Sequence, residues 1–282
     1  MLPAFLLSLR EGIEAALIIS IALGALRKIG RSDLNKPVWV GVISASLFSL
    51  AVAAIMQAVG AGLEGSAEET FEGAAMLLAA AVLTWMVFWM RRQARSLKAD
   101  LENGVQQAAL AGGAGALFGL AFLAVGREGF ELALFLAAAA FSSGAIVTLA
   151  GTILGLAVAT LFGWLLLTAT LRLDLRRFFQ VTGVLLILFA AGLAAHGVHE
   201  FNEAGLIPPI IEHIYDINHI LDENSGLGIM LKALFGYNGN PSLSETLTYG
   251  GYYLVLGVLW LVSVRFNRIP DMYNERTPVQ RG

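Results

Sequence analysis

Two charged pentads interrupt apolar stretches of this chain, and they constrain its fold more than any other feature. Arg10-Glu11-Gly12-Ile13-Glu14 lies within an apolar run from about 2 to 26. Arg127-Glu128-Gly129-Phe130-Glu131 lies within another from about 110 to 140. A helix crosses the hydrocarbon core of a bilayer in about 20 residues, so both runs are long enough to span one. A charge at the centre of such a helix costs roughly 2.5 to 3.5 kcal/mol on insertion scales. Six charges at membrane depth therefore have to face one another or a polar cavity. They mark a pathway for an ion.

Spacing shows which side chains can cooperate. Glu11 and Glu14 are three apart and share a helix face, as do Glu128 and Glu131. Arg10 precedes Glu14 by four residues, and Arg127 precedes Glu131 by four, within reach for pairing. Gly12 and Gly129 remove bulk where a backbone or a ligand must come close. Four carboxylates against two guanidiniums leave a net charge of minus two, which suits a cation held by hard oxygen ligands. The plainer alternative is a pair of intrahelical salt bridges that only fix helix contacts. Duplication of the unit argues against it.

The 282 residues are 57% hydrophobic and 14% charged, and mean hydropathy is +0.73. Soluble domains carry about 25% charged residues, so the composition is that of an integral membrane protein. With no cysteine, disulfides and thiolate metal sites are excluded, and a soft-metal route such as copper(I) is disfavoured. The first nine residues lack a basic region and read as the start of a membrane span, not a cleaved leader. Nothing in the charge distribution suggests nucleic acid, and no nucleotide-binding loop occurs.

Seven apolar runs are expected to be spans: about 2–26, 38–59, 72–90, 110–140, 145–170, 178–200 and 248–266. Basic residues follow runs one, three, five and seven: Arg27, Lys28, Arg31 and Lys36; Arg91, Arg92, Arg95 and Lys98; Arg172, Arg176 and Arg177; Arg265, Arg268, Arg276 and Arg281. The remaining connections are acidic or small. By the positive-inside rule the N-terminus is outside and the C-terminus inside. The first pentad then travels inward and the second outward, 117 residues apart (11 to 128). The expected architecture is an all-α integral membrane protein of seven transmembrane helices, an inverted 3+3 repeat plus one helix. Repeat one covers about 1–90 and repeat two about 110–200. An outer segment, 201–247, and a seventh span, 248–266, complete a single permease domain over 1–266, and 267–282 form a cytoplasmic tail. Such repeats place an ion site at the midplane between them.

Two further polar clusters lie toward the outer side. Glu64, Glu68, Glu69 and Glu72 open the third run, where acids also simply favour a helix N-terminus and water. His196, His199, Glu200 and Glu203 follow i, i+3, i+4, i+7 spacing and form one helical stripe. Imidazole and carboxylate on one stripe make a plausible iron or zinc ligand set, and a solvated vestibule lining is the alternative. Beyond them, Pro208 and Pro209 open an expected amphipathic helix, with Ile210, Ile211, Ile214, Ile217 and Leu221 on its apolar side and Glu212, Asp216, His219 and Glu223 on the other. Trp39, Trp85, Trp89, Tyr249, Tyr252 and Tyr253 read as interfacial anchors.

The two Arg-Glu-Gly-x-Glu pentads carry a family resemblance over essentially the whole chain. With Phe71-Glu72-Gly73, the run from Leu83 to Met90, and Gly197-Val198-His199-Glu200-Phe201, the sequence resembles the oxidase-dependent iron permeases. That family includes the fungal high-affinity iron permeases and the bacterial EfeU-type permeases, the bacterial branch being the closer in length. The resemblance implies a permease, not an enzyme, that moves iron inward across the bacterial cytoplasmic membrane. It implies no permanently bound cofactor, with iron as the transported substrate, and membrane lipid as the surroundings. It also implies an extracytoplasmic iron oxidase or donor of the EfeO or EfeB type that supplies Fe3+. On this reading Glu11, Glu14, Glu128 and Glu131 hold the metal, supported by Arg10, Arg127, Gly12 and Gly129. Glu68, Glu69, Glu72, His196, His199, Glu200 and Glu203 collect it outside. A permease for Mn2+ or Zn2+, or an intramembrane carboxylate metalloenzyme, is the rival reading.

Overall fold

Apolar sequence of this length has to satisfy its own backbone, and helices do so within one segment. In the computed structural model, which describes residues 1–93, 97–168, 175–223 and 225–266, every regular element among those residues is helical. In chain order these are α1 (Leu2–Lys28), α2 (Asn35–Ala61), α3 (Ser66–Gln93), α4 (Leu97–Gln107), α5 (Gly113–Ser143), α6 (Ala145–Thr168), α7 (Leu175–Glu203), α8 (Gly226–Phe235) and α9 (Leu243–Phe266). A 3-10 turn precedes α2, and a π-helical turn joins α4 to α5. Arg95, Arg172, Arg268, Arg276, Arg281 and the 267–282 tail lie outside the described residues.

Five stretches of the described residues are long and apolar enough to cross a bilayer: Ser32–Ala61, Ser66–Met90, Lys98–Ser143, Ala145–Leu165 and Arg177–Glu203. α1 is not among them; it carries Arg10, Glu11 and Glu14 mid-length and Arg27 and Lys28 at its end. The outward faces of α2 and α6 are bare hydrocarbon, including Leu47, Leu50, Ile55, Ile146, Leu149 and Ile153. A water-soluble monomer rarely exposes contiguous apolar surface on this scale, whereas lipid accommodates it.

The helices pack in pairs that a repeat predicts. α1 lies along α6, α2 along α5, and α3 along α7. Exchanging the first three long helices with the second three converts the first pair into the second and maps the third onto itself. The correspondence extends to single atoms. A Cβ on Gly41 would stand 3.0 Å from the Ala121 Cβ and 3.1 Å from the Phe122 nitrogen; one on Gly151 would stand 3.1 Å from the Ala4 Cβ and 3.1 Å from the Phe5 nitrogen. Positions 4 and 5 precede 121 and 122 by 117, the spacing of the pentads, and 41 precedes 151 by 110. Further along the same pairs, Gly12 faces Ala159 and Gly129 faces Ser49, again 110 apart. The contacts advance together along each pair, so α1 runs parallel to α6 and α2 to α5. α3 and α7 are antiparallel, crossing at Gly73 with Gly197 and at Val87 with Gly183. Small residues let these backbones approach, which is how helices associate where solvent supplies no hydrophobic drive.

The segment 201–247 corrects one expectation. No helix forms over 210–223. Asp216 accepts from the Asn218 amide at 3.0 Å, and the Asn218 side chain accepts from the Glu223 amide at 3.3 Å. Those side chain–backbone bonds compete with helix formation. The rest of the segment bonds to the chain before α9, the Ile214 amide to the Pro241 carbonyl and the Ile217 amide to the Gly239 carbonyl. The helix forms downstream as α8, where the Ser225 hydroxyl accepts from the Gly228 amide and caps it. α8 ends at Gly236 in a left-handed conformation, packed against the backbone of Gly192 in α7.

Candidate functional site

Glu11 and Glu14 share a face of α1, and Glu128 and Glu131 share a face of α5, because of their i, i+3 spacing. α1 and α5 touch through those faces. All four carboxylates are buried; Glu11 is only 1% exposed. Glu11, Glu128 and Glu131 each offer a carboxylate oxygen within 4.8 Å of the others, the one such group of three among the described residues. Metal–oxygen bonds of about 2 to 2.5 Å place ligands no farther apart than about twice that length. A single cation can therefore join both pentads. Each of the three also keeps one buried oxygen, Oε2, without a hydrogen-bond partner. Buried unpaired carboxylate oxygens are costly unless a cation or proton satisfies them.

Glu14, expected in the same ligand set, is not brought into the trio. Its Oε1 lies 3.1 Å from Arg10 Nη2, a charge contact without hydrogen-bond geometry. Arg10 is 1% exposed, approaches Glu11 at 3.4 Å, and donates to the Met86 Sδ at 3.0 Å. Arg127 donates through Nε to Glu131 Oε1 at 2.8 Å. Gly12 and Gly129 press on α6 and α2, on the far side of each pentad's helix contact.

The histidines expected to face outside pair with carboxylates. His196 Nε2 is 3.6 Å from Glu200, His199 Nε2 is 3.3 Å from Glu203, and His199 Nδ1 is 3.0 Å from Glu245. Both nitrogens of His199 are thereby engaged. Glu72 is half-buried near the start of α3, with Glu68 exposed one turn earlier and Glu69 beside it. Sequence reasoning missed Glu245. It starts α9 as a capping box with Ser242: the Ser242 amide donates to Glu245 Oε1 at 3.1 Å, and the Glu245 amide donates to the Ser242 hydroxyl at 3.2 Å. Ser-x-x-Glu before an apolar run is a legible signal of this kind. Asn238 adds a bond to Glu245 Oε2 at 2.8 Å.

Several of the expected interfacial aromatics also have partners within the chain. The Tyr252 hydroxyl lies 2.7 Å from the Thr84 hydroxyl. Trp89 stacks on Trp85 and lies beneath the Arg127 guanidinium, 4.2 Å from ring centroid to Cζ.

Comparison with known proteins gives a consistent result. The model of the iron permease FTR1 family matches residues 1–268. The ferrous iron permease EfeU of Yersinia pestis is 36% identical over 267 residues, 94% of this chain and 95% of the relative. That of Shigella sonnei is 38% identical over 247 residues, 87% of this chain and 90% of the relative. An EfeU protein of Escherichia coli K12, described as inactive, shows the same identity and coverage. No solved structure matches.

Proposed function

The chain belongs to the iron permease FTR1 family, and from that premise we propose that it imports iron across the bacterial cytoplasmic membrane through the buried glutamates of its two pentads. The observation that carries this is the convergence of Glu11, Glu128 and Glu131, from two separate repeats, to within 4.8 Å. Glu14 belongs to the same site as the fourth carboxylate, released from Arg10 as iron arrives or leaves. Arg10 and Arg127 keep the carboxylates ionised and oriented while the site is empty. Relatives named as permeases support transport over the metalloenzyme reading, as do pentads without histidine.

In this reading α1, α2, α3, α5, α6, α7 and α9 are the seven spans, with the N-terminus outside and the C-terminus inside. The paired exchange of helices supports an inverted 3+3 repeat. Glu72, Glu68, Glu69, His196, His199, Glu200 and Glu203 line the outer approach, and rocking of one repeat against the other opens the site inward. The single permease domain occupies 1–266, followed by the cytoplasmic tail.

Two forms of the substrate are in play. An extracytoplasmic EfeO- or EfeB-like donor supplying Fe3+ suits an all-oxygen ligand set. Fe2+ as the direct substrate is favoured by the names of the relatives, which are ferrous permeases. Uptake of radioactive iron into proteoliposomes, offered as Fe2+ under ascorbate or as ferric citrate, separates them. Uptake of either form is expected to vanish in Glu128→Gln and to resist excess Mn2+ or Zn2+. Undiminished uptake by that variant would refute the glutamate pathway, and complete block by Mn2+ would move the assignment to another divalent cation.

A further inference from the structure

The two pentads match in sequence, yet their arginines are held differently. Arg10 is sealed in, bound to Glu11, Glu14 and the Met86 sulfur, with its side chain 1% exposed. Among the described residues Arg127 forms an ion pair with one carboxylate, Glu131, and its side chain is 36% exposed. Its other neighbour is the face of Trp89 at 4.2 Å. The nearest ring stacked by Arg10, that of Phe179, is 5.9 Å away. Glu131 is also one of the three converging carboxylates. A cation that takes Glu131 as a ligand competes with Arg127 for it and breaks the one close ion pair that holds the guanidinium.

We propose that Trp89 is a positioning residue of the permease: its indole face receives the Arg127 guanidinium when the transported cation claims Glu131. The proposal rests on the glutamate site argued above and adds a defined place for the displaced charge. A guanidinium close to a ring face needs no carboxylate to remain favourable, and indole is the strongest of the aromatic acceptors. The carboxylate and the ring contact the same guanidinium, so losing the first leaves the second in place. Arg10 is held instead by Glu11, Glu14 and the Met86 sulfur, with the Phe179 ring farther off at 5.9 Å, and stays as the fixed counter-charge. The stack of Trp89 on Trp85, 5.9 Å apart and 23° from parallel, holds the receiving ring in place. Trp89 acts on the cation only through Arg127, which distinguishes it from a wall of the pathway.

The test is a double-mutant cycle read as Fe2+ affinity, by equilibrium dialysis of radioactive Fe2+ under ascorbate against the purified full-length protein. Trp89→Leu is expected to weaken binding about tenfold, and Trp89→Phe, which keeps a poorer ring, about threefold. In the Arg127→Gln background the same Trp89 substitutions should stay within about twofold, because the group they act on is gone. Equal losses in both backgrounds would show that Trp89 is only packing, and no loss in either would also overturn the proposal. Abolished binding in Arg127→Gln alone would overturn it too, since a displaced guanidinium is not needed by the loaded site. Should Trp89→Leu fail to fold, Trp89→Phe decides by the same criterion. Wild-type affinity in Glu128→Gln would instead refute the glutamate site itself, whatever Trp89 does.

Discussion

Glu128→Gln changes two quantities in opposite directions, and the geometry sets both. Glu11, Glu128 and Glu131 offer oxygens within 4.8 Å of one another in a buried site. Two unit charges at that distance repel by about 3.5 kcal/mol at an effective dielectric constant of roughly 20. Glu128 faces two such neighbours, and Arg10 and Arg127 offset part of the repulsion. Neutralising it should therefore stabilise the empty protein by about 1 to 3 kcal/mol, a gain of several degrees in melting temperature for a chain of this size. The same change removes a charged ligand. Losing one partner of a buried charge contact costs about 2 to 5 kcal/mol of binding, a fall of roughly 30- to 4,000-fold in affinity. Thermal melting of the metal-free and iron-loaded protein reads both effects at once. Wild-type protein should melt higher with iron than without, and Glu128→Gln should melt high without iron and gain little from it. A variant that melts lower when empty and still gains as much from iron as wild type would refute the reasoning.

Other expectations follow from packing and capping. Gly41→Val and Gly151→Val should each destabilise by about 1 to 3 kcal/mol, because the new side chain meets the backbone of the partner helix; similar losses from both would match their equivalent contacts, and a neutral result at either would contradict the close approach. Glu245→Ala removes the capping box and the partner of His199, and should lower stability by about 1 to 2 kcal/mol. Differential scanning fluorimetry measures it, and iron affinity should change little, since Glu245 is outside the trio of glutamates. Glu14→Gln should weaken iron binding less than Glu128→Gln in a dialysis comparison, because Glu14 stands with Arg10 in the empty site.

Much of the bundle could be read from the chain because lipid-facing helices are written as long apolar runs, and each of the seven expected runs overlaps an observed helix. The pentads were legible for the same reason: charges stand out where the background is hydrocarbon. The convergence of only three of the four glutamates was not, since which rotamer Glu14 adopts depends on Arg10 and on how α1 meets α5. The stripe of isoleucines from Ile210 to Ile217 suggested a helix by periodicity. Asp216 and Asn218 bind the backbone locally there, and pairing with 239–243 completes the alternative. Glu245 is signalled in the sequence by Ser242 three residues earlier. Trp89 looked like an interfacial anchor by its place near a span end. Its partner Arg127 lies 38 residues away (89 to 127), and only the crossing of α3 with α5 brings them together.

The most direct test of the glutamate site is X-ray absorption spectroscopy of the iron-loaded protein at one iron per chain. Carboxylate coordination by Glu11, Glu128 and Glu131 predicts a shell of oxygen neighbours alone, at about 2 Å, and its loss in Glu11→Gln. Imidazole scattering around the iron, undiminished in that variant, would place the metal among His196 and His199 and contradict the account.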